Sequence, residues 1–209
     1  MQSPDPTPTT RGHKKKERTR RLLLDTALEV IAEQGEACAI SDIAQRAGVS
    51  HGTFYNYFPD RDALFASLVP DVVAAFGAAE ADATGETDPA RRFAIISARA
   101  LAHAAAAPHM VHVALRVDAV QEALLSGGAF ADLRRDLVAG ARQERFALAT
   151  ERAAQDVIVG ALLVAARRVV AGHDSPAYRR QVLRHLLQSL GIDPAEATAI
   201  ARDAVRAAG

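Results

Sequence analysis

Asp42-Ile43-Ala44-Gln45-Arg46-Ala47-Gly48-Val49-Ser50-His51-Gly52-Thr53-Phe54-Tyr55-Asn56-Tyr57-Phe58-Pro59-Asp60-Arg61-Asp62-Ala63-Leu64-Phe65 is the stretch from which the rest of the chain is read. Its first part is a short helix, from about Ile40 to Ala47, with Ile43, Ala44 and Ala47 turned inward. Gly48-Val49-Ser50 makes a tight turn, in which glycine can take the left-handed conformation and serine can cap the next helix. That third helix, His51 to Phe58, places Phe54 and Phe58 on one face at i, i+4. Pro59 stops it and Asp60 can cap a fourth. Helix, glycine turn, helix is the pattern of a helix-turn-helix.

Upstream, Leu24, Ala27, Leu28 and Ile31 recur at i, i+3, i+4, i+7, and Gly35 closes this first helix. From Arg11 to Arg21 seven basic residues face Glu17 alone. Such a run is commonly a solvated helix start; directly before a DNA-binding motif it points to phosphate contact, with Lys16 among the contacting residues. Residues 1–10 hold three prolines and three threonines and read as a disordered tail.

Downstream the periodicity stays helical. The fourth helix carries Leu64, Phe65, Leu68, Val72 and Phe76, with Pro70 inside it expected to kink or split it. Asp88-Pro89 opens a fifth helix that ends near Pro108. A sixth segment runs from His109 to Leu125 and a seventh from Ala129 to about Leu148. The eighth, from about Arg152, is apolar nearly all round and so needs cover on two sides, as a partner subunit provides. Ser175-Pro176 starts the ninth, and Asp193-Pro194-Ala195-Glu196 opens the last. Alternating β-branched runs are missing, so the fold class expected is all-α.

The 209 residues are 49% hydrophobic, enough for a packed core, and their formal net charge is zero. A balanced total does not argue against nucleic acid, since the placement of charge decides. The single cysteine, Cys38, forms no internal disulfide and suggests a reducing, cytoplasmic setting. No apolar run approaches the roughly 20 residues of a membrane helix, and the start lacks a signal-type apolar segment. No nucleophile elbow, phosphate loop, HExxH or paired carboxylates on one helix face speak for an enzyme, and no cofactor is expected. His109 and His112 stand i, i+3 near His103, but without a Cys or a clear carboxylate partner they make no metal site.

The quoted stretch closely resembles the N-terminal motif of the TetR (tetracycline repressor) family, which typically reads DIAxxAGVSxGTxYxYFxxKxxLL; the likeness covers about residues 18–68. The resemblance implies three domains: a tail at 1–13, a three-helix helix-turn-helix at 14–62, and a helical ligand-binding and dimerisation domain at 63–209. It implies that His51, Gly52, Thr53 and Asn56 lie near base edges and that Ser50, Tyr55, Tyr57 and Arg61 meet phosphates. Two departures stand out. Ala39 occupies the cap position before the second helix where the family usually has Thr or Ser, unless Ser41 substitutes, and the loop after Gly35 is about one residue short. Arg61 replaces the more usual Lys and keeps the charge.

The resemblance further implies a sequence-specific regulator, most simply a repressor released from a near-palindromic operator by a small molecule, and a homodimer built on helices eight and nine. Val157, Gly160, Ala161, Val164, Val182 and Leu186 are the interface candidates. Chamber candidates are Phe76, Phe93, Ile96, Arg99, His103, Met110, Val113, Phe130 and Leu137, with Ala100, Leu133 and Phe146 beside them; ordinary core is the plainer account of each apolar one. The expected partners are double-stranded DNA and a small hydrophobic or amphipathic ligand, with no membrane. The alternative is a helical DNA-binding protein that recruits a protein partner and has no small-molecule ligand.

Overall fold

The computed structural model describes residues 11–35, 37–81, 85–118, 120–122 and 130–209. Among them the regular structure is helical throughout: α1 (Arg11–Gln34), α2 (Ile40–Arg46), α3 (His51–Tyr55), α4 (Arg61–Ala81), α5 (Pro89–Ala106), α6 (Pro108–Arg116), α7 (Ala131–Arg142), α8 (Glu151–Arg168), α9 (Pro176–Ser189) and α10 (Pro194–Ala208). The chain is therefore all-α.

Local signals set most of the ends. Gly35 takes φ 80° and its N–H bonds Ile31 O at 2.7 Å, closing α1. Side-chain oxygens of Ser50, Asp88, Thr150, Ser175 and Asp193 accept N–H bonds from the first turns of α3, α5, α8, α9 and α10. Asp60 does the same for α4, accepting from Ala63 N at 2.7 Å. α2 has no side-chain cap: Ala39 offers none, and Ser41 lies against Asp42 instead of substituting for it. Pro70 does not split α4, which continues through it.

Three sequence expectations change. α3 ends at Tyr55 and not at Phe58, because Asn56 and Tyr57 form a tighter turn with N–H bonds to Thr53 O and Phe54 O. The seventh helix stops at Arg142, well short of Leu148. Glu144 takes φ 57°, and Phe146 folds back into the core against Gly140, so residues 143–150 form a connection and not a last helical turn. The sixth segment ends its helix at Arg116 with Val117 extended; the expected end at Leu125 lies outside the described residues. After α8 a five-residue π turn, Val169–His173, contains Gly172 with φ 89°.

Two apolar cores result. The first gathers Leu23, Leu28 and Ile31 of α1, Ile43 of α2, Phe54, Phe58, and Leu64 and Leu68 of α4. It also takes Val113 and Ala114 from α6, with Val117 and Val120 beyond it. The second lies among α5, α7, α8, α9 and α10, with Val111 of α6 also buried in it. α5 and α6 are joined through Ala107 alone, and α6 straddles the two cores: Val111 is buried in the second, Val113 and Ala114 in the first.

Candidate nucleic-acid interface and ligand cavity

The helix-turn-helix is held from beneath. Phe54 and Phe58 are 0% and 1% exposed, with ring centroids 5.6 Å apart. Ser50 Oγ accepts from Thr53 N at 3.1 Å and also meets Thr53 Oγ1 at 2.8 Å, so the turn and the first turn of α3 move as a unit. His51, Gly52, Tyr55 and Asn56 remain exposed, and Thr53 is half-buried. His51 and Tyr55, one turn apart, make an edge-to-face contact at 5.1 Å. A methyl placed on Gly52 would meet nothing within 4 Å, so nothing inside the chain requires glycine there.

The flanking groups sit differently. Tyr57 is half-buried against the first core and not fully outward, a consequence of the turn after Tyr55. Arg61 lies 4.8 Å over the Phe65 ring, and its buried Nε has no hydrogen-bond partner among the described residues. Lys14, Lys15, Lys16 and Arg18 are all exposed on the long N-terminal extension of α1. Behind them Arg20 stacks 5.3 Å over Phe58 and donates to Ser67 Oγ at 3.0 Å, while Arg21 bonds Asp71 at 2.8 Å. The hydrogen bond from Arg21 to Asp25, with support from Asp71, raises the guanidinium above its ordinary value. Arg46, at the end of α2, bonds Glu33 at 2.7 Å and holds that carboxyl below its usual range. The Arg21–Asp71 and Arg46–Glu33 pairs carried no signal in the sequence, since both join charges from different helices.

The second core holds a partly open cavity of about 70 Å³. Its walls are Phe93, Ile96, Ala100 and Leu101 of α5, Phe130 and Leu133, and Val159, Leu162, Leu163 and Ala166 of α8; Ser97 and Asp136 supply its polar atoms. Of the chamber candidates, Phe93, Ile96 and Phe130 line it. Leu137 is fully buried in the adjoining core, Arg99 stands on α5 off the lining, and His103 is exposed. Val113 and Met110 belong to the first core and not to the cavity, although Val111 of the same helix is buried in the second. Phe76's side chain lies outside the described residues. The α8 wall has the spacing i, i+3, i+4, i+7 from Val159 to Ala166, a signal present in the sequence but masked by the apolar residues on the opposite face. Asp136 and Ser97 have no apolar pattern that would mark them.

That opposite face is open. Val157 and Val164 are 58% and 57% exposed, and a methyl placed on Gly160 between them would meet nothing within 4 Å. Ala161 and Val182 are half-buried. Leu186, expected at an interface, is 4% exposed inside the protomer's own core, on the face it shares with Leu183 and Leu187. Among the described residues no group of three His, Cys, Asp or Glu could hold a metal ion, and no helix is long and apolar enough to cross a membrane. Cys38 is buried in the first core.

These features define a helix-turn-helix domain joined to a helical, cavity-bearing C-terminal body. Residues 23–68 match the model of the bacterial regulatory proteins, tetR family. Over 57 residues the chain is 44% identical to the HTH-type transcriptional repressor LfrR of Mycolicibacterium smegmatis, covering 27% of this chain and 30% of LfrR. Over 52 residues it is 40% identical to the uncharacterized HTH-type regulator YvdT of Bacillus subtilis, covering 24% of this chain and 27% of YvdT. The matched segments thus span under a third of these curated relatives. Along most of its length the fold is similar to that of RolR without ligand, with TM-score 0.67, 27% identity, and 87% of this chain and 95% of RolR covered. It is also similar to the fatty acid degradation regulator FadR of Bacillus halodurans, with TM-score 0.68, 24% identity, and 82% and 96% covered.

Proposed function

We propose that this regulator is a homodimeric repressor whose grip on a near-palindromic operator is released by a small molecule in the C-terminal cavity. At each half-site α3 enters the major groove by its N-terminal end. His51, Gly52, Thr53 and Asn56 face base edges, and Asn56 suits a bidentate pair with adenine. Ser50, Tyr55, Tyr57, Arg61 and Lys16 meet phosphates, which fix register without reading sequence. The exposed stripe of Val157, Gly160 and Val164, with Ala161 and Val182 beside it, pairs with its counterpart.

The observation that carries the switching half of this reading is that α6 straddles the two cores, with Val111 in the second and Val113 and Ala114 in the first. α5 forms one wall of the cavity, and one residue later α6 begins and buries Val113 and Ala114 in the core that holds α3. A cavity of about 70 Å³ is smaller than the ~150 Å³ that holds benzene in an engineered protein. A ligand larger than this space widens it, and the α5 wall is joined through Ala107 to α6, which reaches the core that holds α3. The bound state then favours a dimer whose recognition helices no longer match the ~34–36 Å repeat of one DNA turn. RolR, similar in fold and 26% identical in its complex, binds resorcinol, a small-molecule precedent for such a cavity. The test is binding of the purified chain to DNA selected from random duplexes, with and without cavity ligands. Release of DNA by a compound whose binding is abolished by filling the cavity, as in Ala100→Phe, supports the reading. DNA affinity indifferent to every compound that occupies the cavity contradicts it.

A further inference from the structure

We infer, taking the sensing role above as the footing, that the cavity accepts an uncharged molecule of about one ring that donates a hydrogen bond to Asp136. Among the described residues Asp136 is the one charged group on the cavity lining, and it is 9% exposed. Arg92, one turn before Ile96 on α5, donates from Nε to its Oδ2 at 2.8 Å. Among the described residues no hydrogen bond reaches Oδ1. The lining thus offers a half-satisfied carboxylate, with the Ser97 hydroxyl also on the lining, in otherwise apolar walls.

The charge balance then selects by class. An anion entering here would set a second negative charge against Asp136 with little water to screen it. A cation would have to share the carboxylate with Arg92, whose guanidinium already bonds Oδ2. A hydrocarbon fits the apolar walls but strips solvent from Oδ1 and returns no donor. A neutral molecule with a hydroxyl on a flat ring meets all conditions: the ring lies among Phe93, Phe130, Ile96 and Leu162, and the hydroxyl donates to Oδ1. The cavity volume excludes long acyl chains unless the walls move far more than a ring demands.

Calorimetric titration of the full chain with phenol, toluene, benzoate and octanoate tests this. The expected order is phenol at least about tenfold tighter than toluene, as a hydrogen bond to a charged group warrants, with no measurable binding of the two acids. Because Asp136→Leu alone would remove the acceptor of the Arg92 Nε hydrogen bond, the variant is Arg92→Met/Asp136→Leu, which exchanges the pair for apolar groups, a swap cores often tolerate. It should lose the preference, binding toluene at least as well as phenol while melting as one cooperative transition. Equal affinity of the wild type for phenol and toluene, tighter binding of either acid, or a retained phenol preference in the double variant overturns the inference. The sensing role is judged separately: octanoate that binds and releases DNA overturns the ligand class and leaves the switch, whereas phenol that binds with no effect on DNA upholds the class and removes the switch.

Discussion

Asn56 stands at the end of α3, exposed and with its side chain drawn into no bond among the described residues, whereas Arg61 is pinned over Phe65. Their loss should read out differently. Asn56→Ala should relax preference at one base pair per half-site, by about 1–3 kcal/mol, in a selection at fixed salt. Arg61→Ala should weaken all sequences alike and flatten the salt dependence. At the missing cap, Ala39→Ser should raise stability by about 0.5–1 kcal/mol in urea unfolding, since the N-terminal N–H groups of α2 have no side-chain acceptor. The identity and order of these residues could be read from the sequence because turn and cap chemistry is local. The inward lean of Tyr57 could not, because it depends on α3 ending at Tyr55, ahead of Phe58.

At the scale of elements, most helices were legible through caps, glycines and a 3.6-residue period. The connection between α7 and α8 was not. It carries no proline or glycine, and its shape comes from Phe146 dropping against Gly140, a contact between neighbours in space. A Cβ at Gly140 would stand 2.1 Å from the Phe146 ring, so Gly140→Ala should cost about 1–3 kcal/mol by overpacking, measurable in chemical denaturation. The same connection is anchored by Arg145, which bonds Asp88 at the start of α5 and Glu196 in α10. Burial pushes the Asp88 carboxyl up, but the Arg145 bonds and the Ala90 N–H outweigh it and hold it below the ordinary 3.8. A depressed carboxylate stabilises the fold fully above its unfolded value and loses that contribution as pH falls through the folded one. Melting temperature should therefore drop on acidification below 3.8, and this acid-sensitive part should shrink in Arg145→Met.

For the molecule as a whole, the family-like motif and the helix count foretold a DNA-binding head on a helical body. They did not foretell that α6 lends Val113 and Ala114 to the head's core, because an apolar residue on a short helix does not announce which core it enters. The two apolar faces of α8 were legible as a pair, yet only packing separates the cavity wall, Val159 to Ala166, from the open stripe at Val157 and Val164. Val157→Glu should leave the protomer folded, shift the sedimentation mass from dimer to monomer, and abolish tight operator binding. The most direct single measurement is selection of bound DNA from random duplexes by the full chain at fixed salt. The expected result is enrichment of a near-palindrome whose half-sites lie about one helical turn, or a whole multiple of it, apart. Enrichment of one unpaired half-site, or none at all at low salt, would contradict it.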